Sequence, residues 1–399
     1  MPPYTGGMNR NLWLLALCQG LFLTNNVAFI AINGLVGFSL APYGWMATLP
    51  VMGYVVGGAL STPLVARTQS RFGRRVSFQI GLLVALVSAC VAAWAVVDKN
   101  FWLLVAATVV AGYYSANGQL YRFAAAELVP TPLREKAVSM VLAGGLIGAI
   151  AGPNLAARSR SLLDVPFAGA YVVLAFVAIA AMVLMAFIRF PQQAVAAHGS
   201  NGGRPLGEIM RQPVFMVACA SAALGYGVMN LLMAATPLAM QQCGLSFDDA
   251  AFVLEWHVIG MFAPGFLTGG WIKRFGTLPV MGVGVALNLL CIAIALSGIE
   301  LHQFTIALFL LGVGWNFIFT GSTTLALGAY RPEEKDRAQA AINFCVFAVM
   351  AVSSFASGAL VTTQGWNLLN WGSVVPVLLM GGALVWFAVQ QRARTRLLV

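Results

Sequence analysis

Apolar residues occur along this chain in repeated runs of about 20, the length that an α-helix needs to cross a lipid bilayer. Short polar segments separate the runs, and none of them shows the ten-residue alternation of a membrane β-barrel. The pattern therefore predicts an all-α membrane protein with twelve transmembrane helices. Their approximate spans are residues 11–38, 44–66, 76–97, 101–126, 137–157, 167–190, 214–240, 249–272, 279–298, 303–328, 338–362 and 370–390.

Two segments between apolar runs resemble each other across the middle of the chain. The first, Ala66–Arg75, and the second, Gly269–Leu278, both contain Arg-Phe-Gly. Their shared glycines, Gly73 and Gly276, are 203 positions apart. A second pair of landmarks, proline 130 and proline 332, is 202 positions apart. Duplicated halves are common among membrane carriers, so the chain is predicted to contain two similar bundles.

The longest polar stretch lies between these halves. It predicts an N-terminal six-helix bundle over residues 1–190, a cytoplasmic linker over 191–213, and a C-terminal six-helix bundle over 214–399. The bundles are predicted to be pseudo-symmetric, because the landmarks repeat at nearly one offset.

Basic residues fall mainly on one side of the predicted membrane. With the amino terminus inside, 18 of the 22 Lys and Arg residues lie in inner segments. Only Lys99, Arg158 and Arg160 lie outside, and Arg122 lies within a span. The positive-inside rule then puts both termini in the cytoplasm. The net charge of +10 reflects topology and contact with anionic lipid. It does not indicate nucleic-acid binding, since no soluble reading domain accompanies it. We expect a multi-pass protein of the cell membrane, in bacteria the inner membrane.

Composition argues against an enzyme. Charged residues make up only 9% of the chain, against about a quarter in a soluble domain. The six cysteines form no Cys-x-x-Cys pair, and we expect no disulfide, metal or other cofactor. There are three histidines, no His-Glu-x-x-His, no Gly-x-Ser-x-Gly and no phosphate-binding Gly-Lys-Ser or Gly-Lys-Thr. Neither an intramembrane enzyme nor a nucleotide-driven pump fits these residues.

The segment after the second span resembles a pattern of the major facilitator superfamily, Gly-x-x-x-Asp-Arg-x-Gly-Arg-Arg. This chain supplies Arg71, Gly73, Arg74 and Arg75, but has alanine and serine at the family's first glycine and aspartate. The resemblance implies a cytoplasmic latch between the halves. An acidic residue at the inner end of helix 4 often pairs with this loop in the family, which predicts a contact of Glu127 with Arg71 or Arg74.

Predicted helix 5 carries a second pattern of that family, typical of its antiporters. Gly144, Gly148 and Gly152 form a ridge of small residues, and Pro153 follows. Such a ridge allows a partner helix to approach closely, here across the boundary between the halves, and the proline is expected to bend the helix. With Arg71, Arg74 and Glu127, the ridge residues Gly148, Gly152 and Pro153 are the predicted gating residues.

The same resemblance implies alternating access, in which a central cavity opens to one side of the membrane at a time. Polar and aromatic residues within the spans are the candidates for its lining, although amides at this depth can equally serve as hydrogen bonds between helices. The predicted substrate-binding residues are Asn25, Tyr54, Tyr114, Asn117, Arg122, Tyr226, Asn230, Trp315, Asn316 and Asn343.

Two charged residues within spans have two interpretations each. Arg122 either extends to the cytoplasmic headgroups or faces the cavity. Glu255 is the only acidic residue well inside a span. It lies about 12 Å along a helix that a capping box of Ser246 and Asp249 is predicted to open. It is the predicted proton-coupling residue, and the alternative is a carboxylate that serves packing alone.

These residues favour a secondary active transporter for a small amphipathic organic molecule. Proton-coupled export is the first prediction, because the helix 5 pattern is typical of exchangers. The alternative is uptake or facilitated diffusion of a metabolite by the same fold. The expected partners are the substrate, protons and membrane lipid, with the chain acting as a monomer.

Overall fold

The fold is described from a computed structural model that covers residues 9–43, 46, 49–191 and 203–396. Within these ranges the regular structure is helical. The helices are α1 Arg10–Leu40, α2 Leu49–Val97, α3 Phe101–Gly118, α4 Tyr121–Glu127, α5 Arg134–Ala143, α6 Gly145–Ser159, α7 Ala168–Ala186, α8 Leu206–Met210, α9 Pro213–Gln242, α10 Phe247–Phe262, α11 Gly265–Phe275, α12 Thr277–Ser297, α13 Leu301–Ala326, α14 Lys335–Thr363 and α15 Gly365–Arg396.

Nine helical stretches among the described residues are long and apolar enough to cross a membrane. One of them, α2, contains 49 residues and includes two predicted spans. Two further predicted spans, 101–126 and 249–272, are each divided between two shorter helices, α3 with α4 and α10 with α11. The order of the helices thus follows the twelve predicted spans.

The first basic segment is helical rather than the loop that the sequence predicts. Backbone hydrogen bonding continues through it, and only Gly73 departs from helical geometry, with φ 76° and ψ 174°. Gly276 has φ 93° and ψ 159° and separates α11 from α12. Residues with a Cβ rarely adopt this region, which is why each segment needs glycine at this position. The two Arg-Phe-Gly segments therefore share the backbone conformation of their glycine as well as the Arg-Phe-Gly sequence.

The described residues divide into two compact units. The first comprises Met1–Gly202 together with Lys335–Phe347, and the second comprises Gly203–Glu334 with Ala348–Val399. The start of α14 thus packs with the first unit, while the rest of this helix belongs to the second. The sequence predicts a single division at the linker and does not predict that the start of α14 is grouped with the first unit.

Close helix crossings within the first unit depend on glycine. A Cβ placed on Gly112 of α3 would lie 2.2 Å from the backbone of Gly57 in α2. No side chain fits in that space, so α2 and α3 are in backbone contact there. Beside the crossing lies an apolar core that includes Phe29, Tyr54 and Tyr171.

The second unit repeats this crossing. A Cβ on Gly312 of α13 would lie 2.3 Å from the carbonyl oxygen of His257 in α10, and one on Gly260 would lie 2.6 Å from that of Phe309. Gly260 follows Gly57 by 203 positions, the same offset as the two Arg-Phe-Gly segments. Gly312 follows Gly112 by 200 positions, so each unit has a helix crossing with a glycine on both helices at nearly the same offset.

Two helix breaks have local causes. Pro264 has no amide hydrogen to continue a helix, and α10 ends just before it. Gly144 separates α5 from α6, and a Cβ at this position would lie 2.2 Å from the carbonyl oxygen of Ala16 in α1. The side chain of Pro153 lies outside the described residues, and the break in predicted helix 5 is at Gly144.

Candidate functional site

Two of the predicted cavity amides donate hydrogen bonds to backbone carbonyl oxygens of neighbouring helices. The Nδ2 of Asn25 donates to the carbonyl oxygen of Leu174 at 3.1 Å. Asn316 donates from Nδ2 to the carbonyl of Met261 at 2.7 Å, and its Oδ1 accepts from Thr268 at 2.7 Å. These bonds lie within single units and satisfy groups that would be costly in lipid. They match the interhelical alternative for amides at this depth.

Asn117 belongs to a chain of polar side chains between α2 and α3. Its Oδ1 accepts a hydrogen bond from Ser77 at 3.0 Å, and the Ser77 hydroxyl lies 3.0 Å from that of Thr68. Thr68 in turn lies 2.8 Å from the hydroxyl of Tyr113. A run of hydroxyls ending in a buried amide joins the two helices across the first unit.

The Arg122 side chain is buried, with only 2% of its surface exposed. Its Nη2 donates to Oδ1 of Asn343 at 3.1 Å, and its guanidinium lies 4.8 Å from the ring centre of Phe123. Asn343 is in the part of α14 that packs with the first unit. The structure thus brings together two predicted substrate-binding residues, and Arg122 does not extend to a headgroup surface.

Aromatic residues form a cluster in each unit. In the first, Tyr114 lies edge-on to Phe22 with ring centres 5.2 Å apart, while Tyr54 packs against Phe29 at the same separation. In the second, Trp315 and Phe319 are stacked at 4.7 Å. The Tyr226 ring meets both of these edge-on, at 5.5 and 5.4 Å.

Next to the second cluster lies a group of polar side chains, Asn230, Ser353 and Ser354. The Nδ2 of Asn230 donates to Ser353 Oγ at 2.9 Å and to Ser354 Oγ at 2.8 Å. Residues four apart share a helix face, so Tyr226 and Asn230 lie together on α9. Tyr226 and Ser354 are partly exposed. An aromatic ring, an amide and two hydroxyls therefore line one face, which we call the α9 face: Tyr226, Asn230, Ser353 and Ser354.

Glu255 is exposed on α10, and among the described residues no hydrogen bond or ion pair of its side chain is observed. His257, two positions on, is fully buried, and its Nδ1 lies 2.7 Å from the carbonyl oxygen of Leu308. The two side chains thus have opposite environments, as their angular separation on a helix requires. The predicted capping box at the start of α10 is present, with Ser246 accepting from the Asp249 amide and Asp249 accepting from the Ser246 amide.

The predicted contact of Glu127 is made with Arg74. Nε and Nη2 of Arg74 donate to the two carboxylate oxygens at 3.2 and 2.7 Å. Lys335 Nζ lies 3.0 Å from the same carboxylate, and Arg74 also donates to Gln69 and to Gln339. We call this set the ionic cluster: Gln69, Arg74, Glu127, Lys335, Asp336 and Gln339.

The electrostatics of the cluster favour a charged Glu127. Burial raises the pKa of this carboxyl, but the charges and hydrogen bonds of Arg74 and Lys335 outweigh burial and hold the pKa below its ordinary value. Arg71, the other predicted partner, is exposed, with its guanidinium 5.3 Å from the ring centre of Phe72. Of the two arginines, only Arg74 points into the protein.

Four of the six residues of this cluster were not predicted from the sequence. Lys335 and Asp336 lie in the segment whose proline marks the half repeat, and that acidic and basic run was the one available signal. No sequence signal indicated that Gln69 or Gln339 would belong to the cluster. A second missed pair is Arg204 with Glu334, joined at 2.9 and 2.7 Å within the second unit. Hydrogen bonding to this buried carboxylate raises the pKa of Arg204.

The glycine ridge of predicted helix 5 contacts α1. A Cβ on Gly148 would lie 2.5 Å from the Leu23 side chain, and one on Gly152 would lie 3.2 Å from the carbonyl oxygen of Thr24. The atoms nearest to these glycines belong to the same unit, and a partner across the half boundary stays a prediction. The glycines allow close packing, as the pattern predicts, but of α6 on α1.

Apolar helices with few charges and polar groups buried between them define a multi-pass membrane carrier. The sequence profile of the Major Facilitator Superfamily matches residues 12–263 and 219–398. The chain belongs to this superfamily. It is a secondary transporter with a small-molecule substrate and not an enzyme, and the predicted fold class is confirmed.

Relatives and solved structures agree with this assignment. Riboflavin transporter RfnT from Brucella anthropi is 36% identical over 366 residues, which cover 91% of this chain and 92% of that protein. The uncharacterized MFS-type transporter YddS from Bacillus subtilis is 26% identical, over 87% of this chain and 84% of its own. The human organic anion transporter MFSD10 has the same fold, with a TM-score of 0.76, 14% identity, and coverage of 94% and 99% of the two chains.

Proposed function

We propose that this protein transports riboflavin or a closely related flavin across the membrane. The observation that carries the proposal is the relationship to the Brucella anthropi riboflavin transporter, 36% identical along nearly the full length of both chains. Because the alignment covers nearly all of both proteins, the similarity extends over both halves of the chain. Riboflavin is also a small amphipathic molecule with a planar aromatic ring, the substrate class that the sequence predicts.

The α9 face has the chemistry that such a substrate needs. The flavin ring is flat and stacks on aromatic side chains, an interaction of about 1–3 kcal/mol per ring in nucleic-acid complexes. Its sugar alcohol chain and ring edge need hydrogen-bond partners such as amides and hydroxyls. Tyr226 offers the partly exposed ring, and Asn230 and Ser354 offer the polar groups four residues along α9 and on α14.

A few charges suffice for this substrate. Riboflavin has no phosphate and is neutral near pH 7, so binding it does not require a cluster of basic residues. Among the predicted lining residues Arg122 is the one charged group, and it is buried against Asn343. The sparse charge of the spans therefore fits a neutral flavin better than a phosphorylated one.

The test is flavin exchange in liposomes that contain the purified full-length protein. Liposomes loaded with unlabelled riboflavin should accumulate radiolabelled riboflavin from outside, saturably and faster than protein-free liposomes. Tyr226→Leu should reduce exchange by tenfold or more, because the stacking ring is lost, while the matched variant Tyr226→Phe should keep it. If the parent protein shows no saturable exchange, the flavin proposal is wrong.

We also propose that protons drive this transport through Glu255, with export as the direction. The support is that Glu255 is an acidic residue midway along α10, within the predicted span 249–272, and has an exposed side chain. Acidic residues within membrane-spanning segments are rare and often belong to the proton pathways of transporters. Uptake of the flavin by the same fold is the alternative.

A pH gradient separates these possibilities. Glu255→Gln should keep riboflavin exchange without a gradient and lose the acceleration that a gradient produces. Glu300→Gln, at an exposed acidic residue outside the spans, is the matched control and should respond as the parent does. If Glu255→Gln still responds to the gradient, Glu255 does not couple protons. The gradient polarity that produces accumulation identifies the direction.

A further inference from the structure

The second unit contains a groove of about 890 Å³ between α12 and α15. Its walls are mainly leucine, valine and glycine, and Arg392 lies at one end. None of its residues belongs to the predicted substrate site or to the ionic cluster. From this geometry we propose that the groove binds one anionic phospholipid, with an acyl chain along the glycines and the headgroup at Arg392.

Missing side chains create the groove. No atom lies within 4 Å of a Cβ placed on Gly282 or Gly382, and a Cβ on Gly381 would meet only Val285 at 3.4 Å. Glycine within a helix costs about 1 kcal/mol relative to alanine. Here, unlike at the helix crossings, no neighbouring backbone occupies the space that these glycines leave.

The groove opens on a surface that faces hydrocarbon. Leu378 and Val385, which line it, are 57% and 65% exposed. Both α12 and α15 are among the stretches apolar enough to cross a membrane. Water would find no polar partners along such walls, and empty space would forfeit contact energy. An acyl chain is the flexible apolar group that a bilayer supplies at this depth.

The length of the groove matches the thickness of the hydrocarbon region in one leaflet of the bilayer. On α12 the lining extends from Leu278 to Leu289, about 16 Å at the rise of an α-helix. On α15 it extends from Leu378 to Arg392, about 21 Å. Half of the hydrocarbon thickness is about 15 Å, so a chain can fill the groove while its headgroup reaches Arg392.

The basic residue Arg392 in the groove favours a lipid with an anionic headgroup. Arg392 is exposed at the C-terminal end of α15, and the exposed Lys273 and Arg274 directly precede α12. Because successive spans alternate in direction, the start of α12 and the end of α15 are at the same face of the membrane. Arg392 lines one end of the groove, Lys273 and Arg274 are at the same face of the membrane, and basic residues near a bilayer surface attract anionic lipids.

A second copy of the chain fits this surface less well. In a symmetric dimer the same patch meets itself, and in a membrane the two copies have the same orientation. The basic residues Lys273, Arg274 and Arg392 of both copies would then lie at one level beside each other, an arrangement that like charges oppose. A single anionic lipid instead places a negative charge beside Arg392.

The test is native mass spectrometry of the full-length protein with added palmitoyl-oleoyl phosphatidylglycerol or phosphatidylcholine. We expect one phosphatidylglycerol to be retained preferentially. Gly382→Leu should reduce retention of both lipids, since leucine fills the groove. The matched control is Gly372→Leu, also an open glycine of α15 but outside the groove, and it should leave retention unchanged. Arg392→Gln should lower the preference for phosphatidylglycerol about fivefold, while Arg10→Gln, at an exposed arginine in the first unit, should not.

Several results would overturn the proposal. One is equal retention of the two lipids by the parent protein, a result that does not depend on any variant folding. A second is unchanged retention in Gly382→Leu. A third is a dimer in the parent spectrum that Gly382→Leu converts to monomer, because this would identify a second copy as the occupant. Riboflavin exchange is not part of these measurements, so the lipid proposal stands or fails separately from the flavin proposal.

Discussion

Replacing Glu127 by glutamine should destabilise the protein through the ionic cluster. In the structure Arg74 is 2% exposed and forms two hydrogen bonds to this carboxylate, at 3.2 and 2.7 Å. Lys335 contacts the same group at 3.0 Å. The substitution keeps the shape and one acceptor oxygen but removes the negative charge, so two cations lose their shared partner. The perturbation is therefore mainly electrostatic.

The expected loss is about 2–3 kcal/mol in the free energy of unfolding. Removing one partner of a fully buried ion pair costs about 3–5 kcal/mol, because the other charge is left without compensation. Three features reduce that figure here. The Glu127 side chain is 22% exposed, and Asp336 remains 3.9 Å from Arg74. Gln339 also still accepts a hydrogen bond from Arg74.

The destabilisation should depend on pH in a predictable direction. The pKa of Glu127 in the folded protein is lower than its ordinary value of 4.5. A carboxyl with a lowered pKa stabilises the folded state above the unfolded pKa, and this contribution is lost as the pH falls through the folded pKa. The stability difference between parent and Glu127→Gln should therefore be constant above about pH 5 and shrink on acidification below pH 4.5.

Unfolding in mixed micelles, with increasing denaturing detergent, measures the free energies. A double-mutant cycle with Arg74→Gln should give an interaction energy of at least about 1 kcal/mol, since the residues are in direct contact. Glu300→Gln is the control, because its partner His302 is exposed and surface pairs contribute about 0–1 kcal/mol. Additive single effects, or equal losses from Glu127→Gln and Glu300→Gln, would refute the electrostatic reasoning.

Three further substitutions test the backbone. Gly73→Ala should cost about 1–3 kcal/mol, because its conformation excludes a Cβ although no atom lies nearby, whereas Gly207→Ala, with equal space and no positive φ, should be neutral or stabilising. Gly112→Val should lower the melting temperature by opening the contact with Gly57, an overpacking cost of about 1–3 kcal/mol or more. Ser246→Ala should cost about 1 kcal/mol of unfolding free energy, since it removes the cap of α10. A melting temperature unchanged from the parent contradicts each of the expected losses.

Much of the fold follows from local information. The length of each apolar run, the shared glycines of the two halves and the capping box at Ser246 all act over a few residues or along one helix. The crossing of α2 with α3 follows less directly. Small residues indicate that helices can approach closely, but they do not identify the neighbour, and the atoms nearest to Gly148 are in α1.

The residues of the candidate site are harder to identify from the sequence. Asn25, Asn230 and Asn316 look alike in the sequence, each an amide within an apolar run. In the structure Asn25 and Asn316 donate to carbonyl oxygens of neighbouring helices, whereas Asn230 donates to two serine hydroxyls and, at 3.4 Å, to the carbonyl oxygen of Met350. The partners that each amide meets depend on helix rotation, and hydropathy does not report rotation.

The sequence by itself determined the class, because a chain can satisfy its backbone in a membrane only as helices or as a closed barrel, and apolar runs of about 20 residues without alternation indicate helices. It also determined that the chain is duplicated. Tertiary structure decided which charges meet. Arg74 and Arg71 are three positions apart and chemically identical, yet only Arg74 turns inward to Glu127 and Lys335. That choice depends on the turn at Gly73 and on the packing of α14 with the first unit, contacts that join residues more than 200 positions apart.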